Sequence, residues 1–268
     1  MLIQSFSQVG RAAGDFYAHP IKTDSKGNKL ITDYGNGEFN YTIDNGEMKR
    51  YGNATVKAVG GFYNTFKYKA FTLDVVTDFR IGGYVMPSGL FWMTSRGLTK
   101  ESLTAMDAQH GGVSYYKDGQ GRGIETSGQQ GPNGQTVYHD GIKMGGVFAD
   151  GTPNTYVTSQ FYYYWDMWNW GGPQYGNSEY FRYIIENSYW KMREMSLSYT
   201  LPKFISSKIG SSKVTLSVFG RNLFYIYRTI KDMDAEQLTA GTSWASQLQN
   251  GGNNPSSRTF GFSLRASF

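Results

Sequence analysis

The chain has 268 residues, none of them Cys, with 21 Tyr, 17 Phe, 6 Trp and 34 Gly. Without Cys there is no disulfide framework, thiolate metal site or Cys nucleophile, and 39% hydrophobic with 16% aromatic residues is too rich for a disordered chain. The net charge is +5, but the basic residues are scattered with no phosphate-tracking run, so no nucleic-acid partner is expected.

The first ten residues lack the basic region and apolar stretch of a signal peptide. Residues 54–66 and 71–81 are β-rich and joined tightly at Tyr68–Ala70, which predicts a hairpin. Gly82 to Asn187 is Gly-rich and polar and predicts a long loop. Strands are predicted again over 188–201, 213–224 and 258–268, separated by a turn at 202–212 and a polar loop at 225–257.

The predicted strands alternate with a period of two. Phe71, Leu73, Val75, Thr77, Phe79 and Ile81 share one face, while Thr72, Asp74, Val76, Asp78 and Arg80 share the other. Phe260, Phe262, Leu264, Ala266 and Phe268 form a second apolar row, and Val214, Leu216 and Val218 a third. A soluble sandwich alternates too, but strands of ~10–13 residues exceed its usual five or six and match a membrane barrel's ~9–11. The connections are short on one side and long on the other, as in outer-membrane barrels. Aromatics cluster at strand ends: Phe66, Tyr68, Phe71, Tyr199 and Phe268 on the short side, and Tyr84, Tyr189, Trp190, Phe224 and Tyr225 on the long side. Such girdles are what the two interfaces of a bilayer select.

The predicted fold class is therefore all-β: an antiparallel transmembrane β-barrel, of which about five or six strands with long extracellular loops are present. Residues 1–53 are read as an upstream strand and loop, 54–81 as a barrel hairpin, 82–187 as a long extracellular loop and 188–268 as C-terminal barrel strands. Asp74, Asp78, Arg80, Arg193, Glu194, Arg221 and Arg265 are expected on the inner, polar face.

Trp190 to Pro202 and Gly220-Arg221-Asn222-Leu223-Phe224 resemble the penultimate-hairpin signature and the Gly-Arg/Gln-Asn-Leu-Phe element of the SusC/RagA family of TonB-linked outer-membrane transporters, which implies that the chain is the C-terminal portion only of such a barrel. Pro255 to Phe268 resembles the closing strand, Gly14-Asp15-Phe16-Tyr17 a Gly-Ser-Phe-Tyr element, and Gly60 to Phe71 a later hairpin. The match is weakest over 82–187. The resemblance implies a cell-outer-membrane importer of glycans or peptides, with an N-terminal plug, about 22 strands, a SusD-like lipoprotein lid and coupling to the TonB complex through an N-terminal part outside this chain. It implies that Met1 is an internal Met or a truncated gene start. It also implies that Phe260, Phe262, Leu264 and Phe268 form an assembly signal for the barrel-assembly machinery.

The sharpest local feature is the aromatic run Tyr162 to Trp170. Tyr163, Trp165, Trp168 and Trp170 are candidate substrate-binding residues, since aromatic faces stack on sugar rings, with Asp166 and Asn169 placed to bond hydroxyls. The same rings could instead form the loop's own core or dock a lid. His19, His110 and His139 lack metal-ligand spacing, Asp24 to Asn28 is a plain turn, and Gly119 to Gly123 lacks a strand–helix frame. No metal, cofactor or catalytic residue is expected, and the chain reads as a non-enzyme. The rival readings are a soluble or surface β-sandwich that binds glycans, and an outer-membrane barrel without energy coupling. For the barrel readings the partner surface is outer-membrane lipid.

Overall fold

The computed structural model describes residues 3–6, 10–165, 179–239 and 256–268. Two compact units divide them. Five strands dominate one unit: β1 (Val56–Tyr68), β2 (Phe71–Gly82), β3 (Tyr189–Thr200), β4 (Lys213–Arg228) and β5 (Thr259–Ser267). They form one antiparallel sheet in the spatial order β5-β4-β3-β2-β1. The chain is all-β and antiparallel, as the alternation predicts, and no described helix is long and apolar enough to cross a membrane.

The β1–β2 turn is two residues long, and Lys69 takes a left-handed φ of 52°, the sign that hairpin turns require. At the same end of the sheet, Thr200 N donates to Ala70 O at 2.9 Å and Ser212 N to Ser267 O at 2.7 Å. The connection 202–212 is helical, with turns at Lys203–Ser206 and Ser207–Ile209. Phe268 therefore lies at the short-turn end. The chain leaves and re-enters β2, β3, β4 and β5 for its long connections at the other end.

Residues directly opposite on antiparallel strands share a face. The register aligns Phe66, Leu73, Leu197, Val218 and Phe262 in one row across all five strands. The next row is Tyr68, Phe71, Tyr199, Leu216 and Leu264. This apolar face is exposed: Phe66 and Val218 are each 59% accessible, Leu197 45% and Phe262 86%. Among the described residues no second sheet covers it, as a sandwich would require.

The opposite face carries Thr72, Ser198, Ser217 and Ser263 in one row and Asp74 and Ser196 in the next. Phe219 also lies on it. A Cβ at the paired Gly261 would stand 2.6 Å from Phe219 Cζ, so the neighbouring strand carries glycine there.

Two features go beyond simple alternation. First, Arg193 and Glu194 are both expected on the polar face, which adjacent residues of a regular strand cannot share, and Arg193 is an extra residue between the pairs Met192–Thr77 and Glu194–Val76, a β-bulge. Both side chains thereby bond partners on the polar face. Second, the long-loop girdle is split. Trp190 and Phe224 are exposed on the apolar face with Phe79 and Tyr227. Tyr189 and Tyr225 turn to the polar face, where their rings meet edge-on at 5.8 Å. Adjacent residues in a regular strand cannot both face lipid.

The other unit is built from 10–53, 86–165 and 179–184, with strand Ile3–Phe6. Ile3–Phe6, Asp15–Ala18 and Lys49–Asn53 make a small sheet, and Ile31–Asp33 pairs with Phe39–Tyr41. Val113–Lys117, Gly123–Glu125, Val137–Lys143 and Val157–Ser159 close into a four-stranded ring. None of these strands belongs to the five-stranded sheet. Residues far apart in sequence share the unit: Leu30 bridges Val147 in parallel, and Ile31 N donates to Val147 O at 2.9 Å. Its core holds Phe16, Phe39 and Phe91, all fully buried, and Phe39 stacks on Tyr156 at 5.5 Å.

Candidate functional site

On the polar face the long-loop end carries an ion cluster. The bulge brings Arg193 beside β2, where Nη2 lies 2.7 Å from Asp78 Oδ2. The segment that follows β4 supplies Glu236 from above. Its carboxylate takes Arg193 as a fork: Oε1 lies 2.6 Å from Nη2, and Oε2 accepts from Nη1 at 2.8 Å. Lys191 Nζ reaches the same Oε2 at 2.7 Å and donates to Ser256 Oγ at 2.9 Å. Lys191 is only 2% exposed. A buried ammonium needs such a partner, because removing one member of a buried pair typically costs ~3–5 kcal/mol.

A second carboxylate holds the same segment. Asp234 accepts from Ser256 N at 2.7 Å, from Ser256 Oγ and from Tyr225 OH. Burial pushes its pKa up, but the bonds from Ser256 and Tyr225 outweigh that and bring it down to about 2. Glu236 is likewise lowered: burial opposes its ionisation, and Arg193 and Lys191 more than offset it. Ile230, Ala235 and Leu238 are buried in this unit, and Asn187 Nδ2 donates to Ala235 O at 2.8 Å.

Towards the short-turn end the polar face is hydroxyl-rich. Tyr63 and Thr65 donate to Asp74 Oδ1 at 3.1 and 2.6 Å, and Ser198 and Ser217 share a bond of 2.8 Å. Arg221 Nε pairs with Glu194 Oε2 at 2.8 Å. Arg80 is buried and donates from Nε to Asn187 O at 3.2 Å. Arg265 belongs to the row of Thr215 and Thr200. All seven charged residues expected on the inner face thus bond or align there. The strand pattern carried that placement, but nothing in the sequence paired Lys191 with Glu236 or Asp234 with Ser256, which lie 45 and 22 residues apart.

The aromatic candidates lie in the other unit. Tyr163 and Trp165 belong to the helix Gln160–Trp165. Tyr163 is half-buried and packs against the cluster of Ile31, Phe39, Tyr41 and Met144. Its hydroxyl accepts from Arg182 Nη2, and burial raises its pKa. Trp165 stacks with Phe161 at 5.5 Å, and Arg96 Cζ stands 3.7 Å from its ring centroid. Both rings are therefore engaged within the unit. Trp168, Trp170, Asp166 and Asn169 lie outside the described residues. In the sheet, Phe260, Phe262 and Leu264 project from the exposed apolar face of β5, and Phe268 ends the chain at 90% exposure. Among the described residues no group of three or more His, Asp or Glu is placed to hold a metal ion.

The fold and this face define a class: an all-β chain whose long antiparallel strands make a sheet with one apolar and one charged face, consistent with a fragment of a β-barrel. No family model matches the chain, and no curated protein matches it. Among solved structures it is similar to the RagAB peptide importer in its closed-closed state, at 14% identity and a TM-score of 0.42. It is also similar to the RagAB peptide transporter, at 12% identity and a TM-score of 0.43. Each likeness covers 95% of this chain and 21% of the other, so the chain spans about a fifth of the length of the proteins it matches.

Proposed function

We propose that the chain is the C-terminal barrel wall and extracellular loops of a SusC/RagA-like, TonB-dependent importer of glycans or peptides in the outer membrane. One observation carries this reading: a mainly apolar face runs across all five strands and is exposed in its Phe66–Phe262 row, while its reverse is charged and hydrogen-bonded. Soluble monomers rarely expose so large an apolar patch, and burying each Phe or Leu is worth about 1.5–3 kcal/mol. Lipid is the solvent that removes the conflict. Among the described residues, no strand pairs with the outer edges of β1 and β5. Open edges are not tolerated in lipid, so further strands of a parent protein belong there.

On this reading a SusD-like lipoprotein covers the loops, the TonB complex acts through a part outside this chain, and the protein moves its cargo without chemistry. The glycan-binding sandwich is disfavoured by the bare apolar face. The deciding experiment is membrane fractionation with heat-modifiable migration. Within the parent protein that supplies the further strands, the chain should sediment with outer membranes, need detergent, and run compactly until boiled. A detergent-free soluble monomer overturns the reading.

Phe268 is assigned an assembly role, since a terminal strand with alternating apolar residues can add to an exposed sheet edge. Deleting Phe268 in the full-length parent should lower insertion and leave uptake per inserted molecule unchanged. Normal insertion with impaired uptake removes that role.

A further inference from the structure

The Arg193 fork and the Lys191 ammonium form a ready-made carboxylate seat, and in this structure the seat is filled from within by Glu236. We propose that Lys191 and Arg193 bind the carboxylate of a passing ligand, and that Glu236 is a built-in competitor for that site. The inference rests on the reading that the polar face lines an aqueous passage.

Geometry specifies the ligand group. Two oxygens are held by two guanidinium nitrogens at 2.6 and 2.8 Å, with the ammonium 2.7 Å from one of them. This planar, two-point arrangement is the one guanidinium offers a carboxylate. Position agrees with it. The seat lies on the polar face at the long-loop end, where the proposed passage opens. Asp78 and Glu236 balance Arg193 and Lys191, two charges against two. If Glu236 swings away, two cations face the single carboxylate of Asp78, and one oxygen of Asp78 has no hydrogen-bond partner. A ligand carboxylate restores the lost pairs, whereas a neutral solute cannot. Binding and displacement of Glu236 are thus one equilibrium, shifted by the difference in affinity between the two occupants.

The segment itself need not leave. Ile230, Ala235 and Leu238 are buried, and Asn187 holds Ala235 O, so only the Glu236 side chain has to move. The carboxylate could come from a peptide C-terminus or a uronic acid, and the probes separate the two.

The test measures calorimetric binding to the detergent-solubilised parent protein, folded by heat-modifiable migration, at fixed ionic strength. The probes are an acetylated tripeptide as free acid and as amide, and glucuronate beside glucose. Glu236→Gln should tighten binding of at least one carboxylate by roughly tenfold and leave the amide and glucose unchanged. Glu236→Asp, which keeps the charge on a shorter stem, should fall between. Adding Arg193→Gln to Glu236→Gln should abolish the gain. Unchanged carboxylate affinity in Glu236→Gln, an equal gain for the neutral probes, or a gain that survives Arg193→Gln overturns the proposal. Because binding is read without transport, a protein that binds but fails to insert counts against the proposed function and not against the seat.

Discussion

The five-stranded sheet carries its large apolar side chains on one exposed face and its ion pairs on the reverse, whereas the short-stranded unit hides Phe16, Phe39 and Phe91 in a core and keeps pairs such as Lys143–Glu125 at its surface. Both are cut from one aromatic-rich composition. On the proposed function, what differs is the solvent each is built for: a unit that stands in water collapses around rings, whereas a wall that stands in lipid needs no core of its own, and its specificity lies in ladder register and in the polar side. If this is right, the two units should answer to opposite kinds of substitution.

The largest effect is expected in the short-stranded unit. Phe39 is 1% exposed and stacks on Tyr156. Phe39→Ala should cost about 3–5 kcal/mol of that unit's stability, the usual loss for a buried Phe. Amide exchange should speed up over 10–53 and 113–159 while β1–β5 stay protected. Equal loss of protection in the sheet would mean the two units are one cooperative block.

Next comes Val218, 59% exposed on β4 within the apolar row and flanked there by Leu197 and Phe262. In phospholipid vesicles Val218→Arg should cost about 2–4 kcal/mol, as charges on the lipid face of a barrel do. Its neighbour Ser217, on the polar face, should tolerate Arg within ~0.5 kcal/mol. Denaturant unfolding in vesicles checks both. Equal effects at the two positions would erase the distinction between the faces.

These two expectations also mark what could be read beforehand. The sheet was legible because its strands are long: over 9–16 residues a period of two repeats often enough to stand out. β4 runs four residues beyond its predicted end because Asn222, at φ 52°, and the irregularity near Tyr225 interrupt alternation. The other unit was not legible. Its strands are three to seven residues long, too short to show a period, and partners such as Leu30 and Val147 meet across more than a hundred positions. Of the polar face, the charged residues could be placed, but their partners from the segment after β4 could not.

A smaller effect is expected at Gly141, in the four-stranded ring. A Cβ there would run into the Val113 carbonyl oxygen and Val157 Cγ1, with Tyr115 Cδ1 2.9 Å away. Gly141→Ala should cost about 1–3 kcal/mol, the range for overpacking. The exchange of ring amides should show it, with no change in the sheet. An unaffected ring would mean the strands separate easily to make room.

The smallest effect concerns acid. In the short-stranded unit, Asp24 and Asp150 are lowered mainly by bonds within their own turns, from Asn28 and Thr152. Protonating them should loosen single turns and nothing more. Asp234 differs because it ties Ser256, 22 residues away, to the segment that follows β4. Its pKa of about 2 lies below the ordinary 3.8, since the Ser256 and Tyr225 bonds outweigh burial. A carboxylate with a lowered folded-state pKa contributes stability that is complete above the unfolded value and disappears as pH falls through the folded one. Protection of amides 229–239, corrected for intrinsic exchange, should therefore hold at pH 5 and decline between pH ~4 and ~2. Glu236 shifts in the same direction, so Asp234→Asn separates the two: it should lower protection at pH 5 and flatten the part of the decline that belongs to Asp234. Protection that rises on acidification, or an unchanged profile in Asp234→Asn, would show that the segment is held by Ile230, Ala235 and Leu238 alone.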